Sequence, residues 1–196
     1  MRIPGVRTTR FEPDGEAVGT AVLVPGSGYP PQAPLLFFAT FVLLRHGWRV
    51  EHHWWDPPDL ASPEAYTPWV CDEVAAALPE QGPALVVAKS LGTRAAPLVA
   101  ERRLPAVWLT PLLADAALVA AIADNPARQL LVGGTADHLW DGVVAANLAD
   151  QGCDVVEIPD ADHVLMVARE PVRGAEAHVE VTRAMDDWLT RFGTLD

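Results

Sequence analysis

Short apolar runs at 17–24, 48–54, 84–88, 105–110, 128–132 and 153–158 alternate with longer stretches whose pattern is helical. Strict strand–helix alternation predicts a mostly parallel sheet, because the intervening helices serve as crossovers and cover both of its faces. Helices are expected over Pro34–Gly47, Pro63–Leu78, Leu91–Arg102, Pro111–Ala123, Asp141–Ala149 and Val172–Phe192. Pro34 sits early, where its missing donor is harmless, Gly47 ends that segment, and Ser62 is placed to cap the next one. In the last helix Val181, Met185, Trp188, Leu189 and Phe192 fall on one face. Pro97, inside 91–102, is expected to remove a ladder bond and kink that helix. Residues 7–11 are expected to form an edge strand.

The chain has 196 residues, half of them apolar, and contains no internal repeat or long linker, so a single domain over 1–196 is expected. Its net charge of −12 argues against a nucleic-acid partner, since phosphate binding needs a basic surface. Anionic substrates would be repelled at long range, although a local cationic pocket can override this. Cys71 and Cys153 lie in core-like segments and read as buried thiols. The N-terminal decapeptide lacks the apolar stretch of a signal peptide, and the run from Ala33 to Leu44 is too short to span a bilayer. A cytoplasmic protein without membrane partners is expected; oligomeric state is open.

The chemistry concentrates at three strand exits. Ala88-Lys89-Ser90-Leu91-Gly92 reads as a G-x-S-x-G elbow with alanine at the first small position. Small flanking residues let strand and helix backbones approach closely at the turn and leave the hydroxyl exposed. Ser90 is a candidate nucleophile; its bland alternative is a helix N-cap. Asp137 follows the strand at 128–132 in a Gly-rich loop, and His163 follows the strand at 153–158. In a parallel sheet these exits share one edge, so the three side chains can meet there.

The order Ser90, Asp137, His163, together with the elbow, resembles the α/β-hydrolase superfamily over about Thr20–Phe192, and most closely its small, lidless, esterase-like bacterial members. The resemblance implies a three-layer α/β fold with no cap domain, since only Pro111–Ala127 separates the fifth strand from the next, and an open, shallow site. It implies Ser90 as nucleophile, His163 as base and Asp137 as the group that orients it. It places one oxyanion donor at the backbone N–H of Leu91 and the other at Ser27, Gly28 or Tyr29. Pro25 stands where histidine commonly opens that loop, while Gly26 is retained.

Other residues compete for these roles. His46, His52, His53, His138 and His178 are alternative imidazoles, and Asp141 reads as a cap for the following helix. Asp160 and Asp162 flank His163, but no second histidine at useful spacing accompanies them, and His52 and His53 point to opposite faces, so no metal site is expected. Gly26-Ser27-Gly28 lacks the third glycine of a dinucleotide loop and runs into Pro30-Pro31. Lys89, the only lysine, could bias the site toward anions, or pack its stem and pair its amine locally. Tyr29, Trp54, Trp55 and Trp140 could wall an acyl pocket or serve as ordinary cover. The expected function is hydrolysis of carboxylic esters or thioesters of small or exposed acyl groups, with no cofactor. The alternative is a non-catalytic small-ligand-binding protein on the same fold.

Overall fold

A computed structural model describes residues 8–192, the last of them by its backbone alone. Arg7 of the expected edge strand and the side chain of Phe192 lie outside the described residues. The strands are β1 (Thr8–Phe11), β2 (Gly19–Val24), β3 (Trp48–His53), β4 (Ala84–Lys89), β5 (Ala106–Leu109), β6 (Gln129–Gly134) and β7 (Asp154–Ile158). They form one sheet in the order β1-β3-β2-β4-β5-β6-β7. Only β1, paired with β3, runs antiparallel among these strands.

Helices α1 (Pro34–Arg45) and α6 (Pro171–Phe192) cover one face. Helices α2 (Tyr66–Ala77), α3 (Ala96–Glu101), α4 (Ala116–Asp124) and α5 (Gly142–Asp150) cover the other. Strand side chains alternate between the two cores. Leu85 and Val87 of β4 pack with α1 and α6, whereas Val86 and Ala88 pack with the opposite helices. Burial on both sides explains why these strands read as continuous apolar runs. After β2 the chain leaves toward β3, and after β4 it leaves toward β5 on the other side. The neighbouring exits of β2 and β4 therefore flank a topological switch point, where such sheets open a crevice.

Several local expectations change. The segment after β4 begins as a 3-10 helix, Ser90–Ala95, and becomes α-helical only at Ala96. Pro97 thus falls in the first turn of α3, where its absent N–H costs no ladder bond, and the expected kink has no cause. Residues 63–65 are likewise 3-10, and the Ser62 side chain makes no capping bond. The helix expected from Pro111 starts at Ala116, because Asp115 caps it by accepting the N–H groups of Ala117 and Leu118. Asp141 caps α5 in the same way through Val143 and Val144. Gly133 and Gly134 lie within β6, not in the loop after it. Cys71 and Cys153 are free and only half-buried; burial, with Asp154 beside it, pushes the Cys153 thiol up to about 11.

His52 and His53 do point to opposite faces. His52 Nε2 lies 2.7 Å from Thr40 Oγ1 of α1, and His53 Nε2 lies 2.9 Å from Glu73 of α2. The Thr40 hydroxyl already donates to the Leu36 carbonyl at 2.8 Å, so it accepts from His52, which fixes the Nε2–H tautomer. Burial pulls His52 from 6.5 down to about 4. The unfolded chain takes up this proton before the folded one does, so the contribution of His52 is complete above pH 6.5 and is lost as pH falls through about 4. The urea midpoint is expected to fall across that window, and His52→Gln to flatten the fall.

Candidate active site

At the end of β4 the backbone turns sharply: Ser90 has φ 52°, in the left-handed region. A side chain held there costs roughly 1–2 kcal/mol, a strain that surrounding contacts must sustain. The flanking small residues explain how. A Cβ on Gly92 would lie 3.0 Å from Val24 Cγ1 and 3.2 Å from Ala88 Cβ. One on Gly26 would lie 3.0 Å from Lys89 Cδ and 3.3 Å from Ser90 Cβ, so the loop after β2 sits directly against the elbow.

Ser90 Oγ lies 2.7 Å from His163 Nε2, and His163 Nδ1 lies 2.7 Å from Asp137 Oδ2. The Asp137 side chain is fully buried, whereas a quarter of the His163 side chain remains exposed. Burial pushes the Asp137 carboxyl up. Hydrogen bonds from His163 and the Leu139 N–H, with electrostatic attraction toward the His163 and His138 rings, outweigh this and hold it below the ordinary value. An ionised Asp137 can only accept, so Nδ1 carries the proton and Nε2 of the neutral ring accepts from the Ser90 hydroxyl.

The flanking carboxylates hold the histidine loop. Asp162 Oδ1 accepts from the N–H groups of Val164 and Met166, and a bridge between Ala161 and Val167 closes the turn. The Asp160 N–H donates to Thr135 Oγ1, and its carboxylate pairs with Arg173. His46 contacts Asp186 and His178 contacts the Gly174 carbonyl, both away from Ser90. His138 is largely exposed, 3.9 Å from Asp137. Among the described residues, no group of three or more His, Cys, Asp or Glu side chains is arranged to hold a metal ion.

The remaining candidates separate. Ser90 and Leu91 open onto a hollow of about 420 Å³ that also includes Ser27. Gly28 and Tyr29 instead line a different hollow of about 270 Å³, with Trp54 and Trp55. Of the three alternative loop positions, Ser27 is the one that lines the hollow containing Ser90. Trp140 lines neither; it packs over Gly133 in the core and donates to Glu157 at 2.7 Å. The wall facing Ser90 comes from Leu60, Tyr66, Arg94 and Leu112, which the sequence reading passed over. Arg94 is almost wholly buried, with its guanidinium 3.2 Å from Asp115 and donating to Thr67. Lys89 is buried as well, and its amine lies 4.8 Å from the centre of the Tyr29 ring.

No family model matches the sequence, and no curated protein does. Solved structures do resemble it. Est1E from Butyrivibrio proteoclasticus, in a complex with ferulic acid, is 12% identical; 94% of each chain is covered at a TM-score of 0.71. A serine hydrolase without lid from Xanthomonas campestris is 16% identical over 94% of this chain and 88% of its own, at 0.64. Dienelactone hydrolase from Anabaena variabilis is 18% identical over 94% and 90%, at 0.65. The likeness spans nearly the whole chain, one of these neighbours also lacks a lid, and the chain has the α/β-hydrolase fold.

Proposed function

We propose that this protein is a serine hydrolase that cleaves carboxylic esters or thioesters of small or exposed acyl groups. The observation that carries this reading is the unbroken hydrogen-bonded series from Ser90 through His163 to Asp137, starting at a serine with left-handed backbone. His163 Nε2 takes the hydroxyl proton as Ser90 Oγ bonds to the carbonyl carbon, and Asp137 stabilises the imidazolium. The N–H of Leu91, early in a 3-10 turn and without an acceptor inside it, and the N–H of Ser27 receive the developing oxyanion. The carbon–oxygen or carbon–sulfur bond then breaks and His163 returns the proton to the leaving group. Water repeats the sequence on the acyl-enzyme and releases the acid. The open hollow favours compact acyl groups and admits that water.

The neighbours support this by their chemistry: one is a serine hydrolase, one a dienelactone hydrolase, and one binds ferulic acid. The test is labelling by a fluorophosphonate probe with turnover of short p-nitrophenyl esters and thioesters. The native protein is expected to label and turn over, and Ser90→Ala to do neither. Absence of both activities in the native protein would overturn the reading, and labelling of Ser90→Ala would remove Ser90 as nucleophile. No described helix is long and apolar enough to cross a membrane.

A further inference from the structure

We infer that Lys89 is a positioning residue for the loop 26–29: its ammonium, held against the Tyr29 ring, keeps that loop seated on the elbow and so sets the place of the Ser27 N–H. The inference rests on the hydrolase reading for its kinetic consequences, but its structural content stands apart from it.

Lys89 is 2% exposed although it directly precedes an accessible serine. Its side chain runs under Gly26, as the 3.0 Å approach of Cδ to that residue's empty Cβ position shows. Its Nζ ends 4.8 Å from the centre of the Tyr29 ring, within range of a cation–π attraction that desolvation strengthens. The two ends of the loop, Gly26 and Tyr29, also bridge each other. The Tyr29 hydroxyl accepts the Leu35 N–H at 3.0 Å, which pins the ring to the start of α1. A single side chain thus touches both ends of a four-residue loop whose tip, Ser27, faces Ser90 across the hollow.

The titratable groups around Lys89 come from three other strand exits. Tyr29 follows β2, and burial pushes its phenol above the ordinary value, so it stays neutral where Lys89 titrates. Asp137 follows β6, Asp162 follows β7, and both favour the ammonium, with His163 adjacent to each. Burial outweighs these carboxylates and pulls Lys89 down to about 8. A raised pH therefore removes the cation: below about 8 the ammonium holds the ring, and above it the neutral amine does not.

The experiment compares the native protein with Lys89→Met and Lys89→Arg by amide hydrogen exchange and by kinetics. Exchange at the 27–29 amides is expected to speed up about tenfold or more in Lys89→Met while β4 stays protected. Lys89→Met should also lower kcat about 10–100-fold with KM changed less than about threefold, a partial loss of one oxyanion donor. The native kcat should decline above pH 8; Lys89→Arg, charged throughout, and Lys89→Met, uncharged throughout, should lack that decline. Unchanged exchange at 27–29 in Lys89→Met overturns the inference whether or not the protein hydrolyses esters. A Lys89→Met kcat within twofold of native, or an alkaline decline that persists in it, does the same. Should Lys89→Met not fold, exchange at 27–29 in the native protein decides: faster exchange above pH 8 than EX2 chemistry predicts supports the inference, and none overturns it. A native protein with no turnover overturns the hydrolase reading alone.

Discussion

Replacing His163 with alanine is expected to lower kcat by about 10⁶-fold on any ester the protein turns over, and Asp137→Asn by about 10⁴-fold. The two numbers differ because the two side chains act at different points. Without the imidazole Ser90 Oγ loses the nitrogen that lies 2.7 Å away to accept its proton, and the loss is that of the whole relay. With asparagine at 137 the ring remains, but the amide can present an N–H to Nδ1. The histidine then carries its proton on Nε2 and donates to the serine where it should accept. A double variant with Ser90→Ala should lose nothing beyond Ser90→Ala alone, since residues acting as a unit are not additive. His138→Ala is the control: its ring is exposed and 3.9 Å from Asp137 Oδ1, so a change under about twofold is expected. If His163→Ala retained a tenth of native kcat, the base would have to be another group. Thermal melts of each variant separate these losses from unfolding.

The parts of the candidate site that the sequence points to are those tied to strand exits. Ser90, Asp137 and His163 each follow a short apolar run within a few residues, and a parallel sheet brings such exits to one edge whatever lies between them. The walls of the hollow carry no comparable signal. Leu60 lies in an aperiodic stretch, and it reaches the site because the Tyr66 hydroxyl donates to the Pro58 carbonyl and folds that loop back. Leu112 belongs to residues that read as helix until the Asp115 cap moves the start of α4. Trp140 misleads for the opposite reason: it follows a strand as Tyr29, Trp54 and Trp55 do, yet Gly133 leaves a space on β6 that its indole fills. Pro97 suits either a kink or a first turn, and the 3-10 start of the segment leaves it in the first turn of α3. Pairings such as Lys89 with Tyr29 join distant segments through side-chain reach, and no period in the chain encodes them.

Adding one methyl group to β6 is expected to do two different kinds of damage at adjacent positions. A Cβ on Gly133 would come 1.9 Å from Trp140 Cε3, and one on Gly134 would come 2.1 Å from the Ala161 carbonyl oxygen. Successive strand residues face opposite ways, so the first methyl strikes the core under α5 and the second strikes the loop that carries His163. In Gly133→Ala the indole has to leave its seat and give up its bond to Glu157. Overpacking of this kind costs about 1–3 kcal/mol, and the lost hydrogen bond, to a carboxylate that water can reach, adds about 0.5–1.5 kcal/mol. Gly133→Ala should therefore melt far below the native protein while retaining near-native kcat per folded molecule at low temperature. In Gly134→Ala the obstacle is backbone. The Ala161 carbonyl accepts the Ala136 N–H at 3.0 Å, and Ala161 also pairs with Val167 to close the turn around His163. The loop has to shift as a piece, and a displacement of about 1 Å between imidazole and serine costs on the order of 10²-fold in rate. Trp140→Leu should recover part of the stability lost in Gly133→Ala and none of the activity lost in Gly134→Ala, since the two methyls meet unconnected groups. Equal losses of melting temperature and kcat in both variants would show that β6 transmits the strain along its own backbone, and that the histidine loop is not positioned by the Gly134–Ala161 contact.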